Sequence, residues 1–205
     1  MAVLTQLQLL KRLTTSDTER RLSITPLLDW RTQVGPSSVD IRLGPEILVT
    51  HRSGVGVIDM GQLTGSGSGL LQNIRHVYVG FRQYFTLHPG EFVLGSSLEY
   101  LRLPPDLCCS VEGRSTIGRA GVVIATATSV APGFCGCLTL EIENLGEVPI
   151  RIFPGVRIAQ LVFFKSFPKA HYVGRYRCAT GPEAPRFDPS RDKELRLFRP
   201  PQETT

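Results

Sequence analysis

Leu107-Cys108-Cys109-Ser110-Val111-Glu112-Gly113-Arg114-Ser115-Thr116-Ile117-Gly118-Arg119 sets a short β-rich run, Leu107 to Val111, directly against a polar, glycine-bearing turn. The same alternation of run and turn repeats on both sides. Before it come Ser37 to Leu43, Glu46 to Thr50, Gly56 to Asp59, Phe85 to Leu87, Phe92 to Leu94 and Tyr100 to Leu103. After it come Val122 to Thr128, Cys137 to Glu143, Val148 to Phe153 and Arg157 to Lys165. Turn residues separate these runs at intervals of about 8 to 12 residues, the spacing of a sandwich or barrel and not of alternating β–α units. With 20 glycines and 15 prolines in 205 residues, the expected architecture is a many-turned, all-β body.

Outside that body, Leu4, Leu7, Leu10 and Leu13 recur at helical spacing and predict one N-terminal helix, ended at Thr14-Thr15-Ser16-Asp17. His88-Pro89-Gly90 and Phe153-Pro154-Gly155 each introduce an apolar strand, with Pro and Gly ordered as a type II turn requires. Gly61 to Gly69 is a flexible loop by composition. After Phe167 the chain turns polar and proline-bearing, so the reading is one domain over residues 1–170 and a tail over 171–205 that folds over something or stays disordered. A chain of this length buries a full core without metals or disulfides. It has no apolar run long enough to span a bilayer and no signal-peptide pattern, so a cytoplasmic protein with no membrane partner is expected.

Of the 23 basic residues only Lys11, Lys165, Lys169 and Lys193 are lysines. Arginine's planar fork suits bidentate binding of phosphate or carboxylate. The arginines are scattered and form no basic run interleaved with aromatics, which favours a small anion over a nucleic acid. Cys108, Cys109, Cys135, Cys137 and Cys178 are odd in number and lack paired C-x-x-C spacing, so neither a disulfide scaffold nor a zinc site is expected.

The densest chemistry lies in Glu112 to Arg119 together with Leu140-Glu141-Ile142-Glu143-Asn144. These stretches supply two guanidiniums, two hydroxyls and, among their three carboxylates, Glu141, the equipment for holding a polyphosphate and activating a water. The bland alternatives are a solvent-facing Glu141, which shares strand parity with Glu143, a surface ion pair at Arg119 and a turn hydroxyl at Ser115. The H-x-E and P-C-x-x-C pieces of zinc-dependent deaminases are absent. So are a Gly-Lys-Ser/Thr phosphate loop and a Gly-x-Ser-x-Gly elbow.

Gly113-Arg114-Ser115-Thr116-Ile117-Gly118-Arg119 resembles the G-R-S-S-L-x-R segment of the dCTP deaminases, relatives of the trimeric dUTPases. Leu22-Ser23-Ile24-Thr25-Pro26 and Ser38-Val39-Asp40-Ile41-Arg42-Leu43-Gly44 are similar to that family's early segments. Pro132-Gly133-Phe134-x-Gly136, Leu140-Glu141 and Gly155-Val156-Arg157-Ile158-Ala159-Gln160-Leu161 follow in the family's order. The resemblance implies a homotrimer of distorted, jelly-roll-related β-barrels, with active sites at subunit interfaces and a C-terminal segment closing over a deoxynucleoside triphosphate and its Mg2+. It implies zinc-independent deamination of dCTP to dUTP, with Glu141 shuttling protons and Ser115 and Arg119 positioning water and stabilising charge. Arg114 and Thr116 would lie against the phosphates or the subunit contact, Gln160 near the phosphates, and Val130 and Phe134 beside the nucleoside. Arg175-Tyr176 is similar to the family's Lys-Tyr pair that contacts the triphosphate.

The chain also departs from the pattern. Ala131 stands where the family has an acidic residue before Pro-Gly-Phe, the loop Ile124 to Ser129 is short and lacks a histidine, and Ala179 replaces a tail glutamine. A dUTP diphosphohydrolase, a bifunctional deaminase–diphosphatase and a catalytically silent nucleotide-binding trimer therefore stay open beside the deaminase. Because diphosphohydrolysis leans on the missing acid, deamination is the reading favoured.

Overall fold

The computed structural model describes residues 2–50, 73–125 and 129–186, together with Lys193. The predicted strand Gly56 to Asp59, the loop Gly61 to Gly69 and the end of the run Val122 to Thr128 fall outside the described residues.

In chain order the elements are α1 (Gln6–Thr14), β1 (Ser23–Thr25), α2 (Trp30–Gln33), β2 (Val39–Arg42), β3 (Glu46–Thr50), β4 (Ile74–Tyr78), β5 (Phe85–Leu87), β6 (Phe92–Arg102) and β7 (Leu107–Gly113). Then follow α3 (Ser115–Arg119), β8 (Val122–Ile124), β9 (Ser129–Val130), β10 (Cys135–Asn144), β11 (Ile150–Ile152) and β12 (Arg157–Lys165). The strands form one sheet in the order β4-β3-β6-β10-β8 with β1 added to β6, a second in the order β2-β12-β7-β9, and the pair β11-β5. Every pairing is antiparallel. The result is a distorted barrel that does not close, whose core includes Ile41, Leu107, Leu140, Ile142, Leu161 and Phe163, all fully buried. Among the described residues no helix is long and apolar enough to cross a membrane.

The N-terminal helix forms, but its buried stripe differs from the expected one. Thr5 N–H donates to Gln8 Oε1 at 2.9 Å and caps the first turn. Leu9 is fully buried, Leu10 and Leu13 pack beside it, and Leu7 is 79% exposed. Three residues fall short of a 3.6-residue turn, so a leucine at every third position drifts around the helix, and Leu7 turns out to solvent. Leu4 lies ahead of the helix and is held by its own N–H donating to Phe163 O at 2.9 Å.

Two predicted strands, Phe92 to Leu94 and Tyr100 to Leu103, are halves of β6, and the Gly95-Ser96-Ser97 between them is strand and not turn. A Cβ on Gly95 would stand 2.9 Å from Leu43 Cδ1 and 3.0 Å from Ile142 Cδ1, so the glycine is there for close packing. Ser97 Oγ donates to Glu99 O at 2.7 Å and accepts from Leu138 N at 2.9 Å. That bond lies where the β6–β10 register shifts, between Cys137 and Thr139. Buried Glu99 ties β6 to β2 and α2, accepting from Arg42 N at 2.8 Å and Gln33 Nε2 at 3.1 Å. Both expected type II turns carry glycine at positive φ, +68° at Gly90 and +88° at Gly155.

Candidate active site

Side chains alternate across a strand, and on β10 that alternation separates core from cleft. Leu140 and Ile142 are fully buried in the core, while Thr139 and Glu141 share the opposite face and are half-buried. They form the floor of a cavity of about 570 Å³, a size suited to a small ligand. Burial lifts the Glu141 carboxyl above its ordinary value. Val130 enters from β9, which is held on β7 by the Cys109–Val130 register, and Phe134 enters from the turn before β10. Ala131 also lines the cavity, so the position lacking the expected acid does face the site.

The roof is the C-terminal segment. Phe134 meets Tyr172 edge to face at 5.4 Å between ring centroids. Cys178 N–H donates to Cys135 O at 2.8 Å, Cys137 N–H to Ala179 O at 2.7 Å, and Glu183 N–H to Thr139 Oγ1 at 3.0 Å. Tyr172, Tyr176 and Glu183 thereby line the same cavity as Glu141. The glycines of Pro132-Gly133-Phe134-Cys135-Gly136 have a physical reason in this docking. A Cβ on Gly133 (φ +72°) would stand 3.0 Å from His171 Cα, and one on Gly136 (φ +139°) 3.0 Å from Ala179 N. Buried Ala179 occupies the line of contact itself.

The remaining expected site residues lie elsewhere on the chain. The segment Ser115–Arg119 is a short helix and not an open turn, capped by Arg114 in extended conformation, with Gly118 N–H donating to Arg114 O at 2.9 Å. Ile117 packs on the core, which leaves Ser115, Thr116 and Arg119 exposed. Arg114 Nη1 donates to Arg157 O at 3.2 Å, and its Nε stands 3.4 Å from Asp40 Oδ2. Arg157 reaches the same carboxylate at 3.0 Å. Gln160, opposite Asp40 on one side and Glu112 on the other, accepts from Ser38 Oγ at 3.4 Å. Within one chain, then, Glu141, Val130, Phe134 and Tyr176 share a cavity, and Ser115, Arg119, Arg114, Thr116 and Gln160 do not line it. Arg175 does not line it either; its guanidinium donates to Arg186 O.

Sequence reading missed Thr139, Tyr172 and Glu183. Strand parity with Glu141 carries the signal for Thr139, whereas the two tail residues depend on a long-range docking that no local pattern encodes. Among the described residues no group of three or more His, Cys, Asp or Glu side chains is placed to hold a metal ion.

Comparison with known proteins agrees over most of the chain. A model of the dCTP deaminase-like family matches residues 4–166. The dCTP deaminase of Natronomonas pharaonis is 41% identical over 85% of this chain and 91% of its own. The dUMP-forming dCTP deaminase of Dictyoglomus turgidum is 45% identical over 72% of this chain and 74% of its own. Among solved structures, the 2'-deoxycytidine 5'-triphosphate deaminase from Agrobacterium tumefaciens superposes with a TM-score of 0.58 at 26% identity, covering 78% of this chain. The present chain spans 46% of that solved chain.

Proposed function

The chain belongs to the dCTP deaminase-like family, and from that membership we propose that it hydrolyses the exocyclic amine of dCTP, giving dUTP and ammonia. The observation that carries this reading is the half-buried Glu141, with its raised pKa, on the floor of a nucleoside-sized cavity that Val130, Phe134 and Tyr176 also line. A carboxyl poised above its ordinary value is suited to take a proton and return it.

Glu141 removes a proton from water as the oxygen adds to C4 of the cytosine ring, and delivers it to ring N3. The second proton of that water passes by the same carboxyl to the amine, which leaves as ammonia while the carbonyl forms. Ser115 orients the water and Arg119 stabilises charge at the tetrahedral centre. Because those two side chains are exposed on α3, we assign them to the cavity of a neighbouring copy in a homotrimer. Exposed Phe81, Tyr84 and Phe153, with Tyr84 and Phe153 edge to face at 5.8 Å, supply an apolar surface that supports such an assembly.

Val130 and Phe134 flank the nucleoside. Gln160, Arg114 and Thr116 from the neighbour, and Arg175 and Tyr176 from the tail, hold the triphosphate. Magnesium arrives with the triphosphate as part of the substrate, and the chemistry at C4 is assigned to Glu141 in place of zinc. Residues 1–170 act as the barrel and 171–205 as a lid. The setting we assign is the cytoplasm, where free nucleotides are processed.

A second reading is favoured by one specific observation: the Dictyoglomus turgidum relative is named dUMP-forming. Water would then also attack the α-phosphorus, and Ala131 removes an acid expected for that step. Incubation with dCTP and Mg2+ separates the readings. Ammonia without pyrophosphate is the expected result, ammonia with pyrophosphate marks the bifunctional enzyme, and binding with neither product overturns both.

A further inference from the structure

We propose that Cys135 and Cys178 form a reversible disulfide that fastens the C-terminal segment over the cavity. Their sulfurs stand 3.2 Å apart, about 1 Å further than the roughly 2.05 Å of a disulfide bond. They are already brought together by backbone pairing, with Cys178 N–H on Cys135 O at 2.8 Å and Cys137 N–H on Ala179 O at 2.7 Å. Gly136, between the two β10 cysteines, is what allows that approach. Cys178 holds a positive φ of 62°, uncommon for a residue with a side chain, and in that conformation its sulfur meets Cys135.

The pair is set apart from Cys109 and Cys137, and among the described residues no second sulfur stands within bonding reach of Cys108. Cys109 and Cys137 are buried, and burial pushes both thiols up and away from the reactive thiolate. Cys178 is exposed and Cys135 half-buried, so a small oxidant can reach them. Burial works against ionisation of Cys135, but hydrogen bonds from Cys178, Tyr100 and Arg177 outweigh it, together with the Arg177 charge, and hold the thiol below its ordinary value. The groups facing the pair are thus a neutral phenol and a guanidinium, which both favour an anionic sulfur.

With hydrogen peroxide as oxidant, the Cys135 thiolate attacks one peroxide oxygen, the O–O bond breaks, and the departing hydroxide takes a proton to become water. The sulfenic acid left on Cys135 is attacked by the Cys178 sulfur. The S–O bond breaks, and its oxygen leaves as the second water with the Cys178 proton. Two thiols are oxidised and one peroxide is reduced to two waters; a dithiol reductant reverses the bond by exchange.

The disulfide stands independently of the assigned reaction, and only its effect on turnover rests on the deaminase reading. The full chain is treated with hydrogen peroxide, its remaining thiols are alkylated, and its proteolytic peptides are weighed. The expected result is a Cys135–Cys178 linked peptide, lighter by two hydrogen atoms than the separate pair and released by dithiothreitol. Amide exchange over residues 171–186 slows in the oxidised protein, and dCTP turnover falls several-fold. Cys178→Ser shows none of these changes, although it folds and turns over dCTP like the untreated protein. Peroxide that leaves both thiols free, or oxidises them singly without a link, overturns the proposal. A link that forms while exchange over 171–186 stays unchanged overturns the fastening. If the reduced protein turns over no dCTP, the deaminase reading fails, and the peptide and exchange results still decide the disulfide.

Discussion

The cavity above β10 and the surface of α3 hold the two halves of one expected site, and they differ in nearly every physical respect. The cavity is roofed by the chain's own tail, is lined mostly by apolar groups, and raises the pKa of its acid through burial. The α3 surface is open: Ser115, Thr116 and Arg119 are exposed, and only Arg114 is engaged, with Asp40 and the Arg157 carbonyl. A guanidinium beside the acid in an isolated chain would lower the acid's pKa and stabilise a ligand-free ion pair. Within its own chain α3 contributes no side chain to the Glu141 cavity, and burial holds that carboxyl above its ordinary value.

Removing the acid is the largest blow to this arrangement. Glu141→Gln keeps the shape of the cavity floor and abolishes proton transfer, so kcat for dCTP should fall about 10²- to 10⁴-fold with little change in nucleotide affinity. Single-turnover ammonia release and isothermal titration check the two parts. The pH profile sharpens it. Because burial raises the Glu141 pKa above 4.5 and the base must be ionised, kcat/KM should climb with pH through that raised value. The group's contribution to stability runs the opposite way, full below the unfolded value and lost as pH rises through the native one, because the folded state binds the proton more tightly. Glu141→Gln should flatten both slopes.

Next in size is Arg119→Ala, expected to cost about 10²- to 10³-fold in kcat while leaving the Glu141 cavity and the fold of one chain intact. The decisive measurement mixes the two inactive proteins. If the halves come from different copies, co-refolded Glu141→Gln and Arg119→Ala chains form some sites with both native residues, and a fraction of activity returns. No recovery in verified mixed oligomers would place both groups on one chain and break the contrast between the cavity and α3.

The sequence made the frame of both regions legible, and for different reasons. Glu46–Thr50, Phe85–Leu87 and Arg157–Lys165 appear with the expected bounds because their β-rich runs end at unambiguous turn residues. Strand β4, Ile74–Tyr78, escaped notice because Arg75, His76 and Tyr78 make its surface polar, and it lies in register on β3. Gly95-Ser96-Ser97 imitated a turn because its small residues serve packing and a register shift. Motif order named Glu141, Val130, Phe134 and Tyr176, and these four line one cavity. Tyr172 and Glu183 could not be read, since their positions depend on where a tail some forty residues distant comes to rest.

A smaller effect is expected from shortening that tail. Truncation after Phe167 removes Tyr172, Tyr176 and Glu183 from the roof of the cavity and leaves its floor in place. The KM for dCTP should rise about tenfold or more while the melting transition of the barrel changes little, because the large buried side chains lie before residue 168. Steady-state kinetics beside calorimetry tests this, and a collapse of the fold would show that the tail belongs to the core.

The mildest perturbation asks whether docking of the tail, and not merely its presence, matters. In Gly136→Ala the added Cβ would stand 3.0 Å from Ala179 N and 3.2 Å from Ala179 O, at a φ of +139° that a side chain rarely adopts. Such strain costs about 1 to 3 kcal/mol, and it falls on the Cys135–Cys178 and Cys137–Ala179 backbone bonds that seat the segment. The Phe134–Tyr172 contact and the Glu183–Thr139 bond lie to either side and remain to hold the tail. Amide exchange over residues 171–186 should therefore accelerate while KM rises only a few-fold and kcat is preserved. Since nothing on α3 is altered and only the seating of the tail is weakened, the same variant should complement Arg119→Ala well and, at subsaturating dCTP, Glu141→Gln less well. Equal complementation of the two would mean that the tail, rather than α3, delivers the neighbouring copy's contribution.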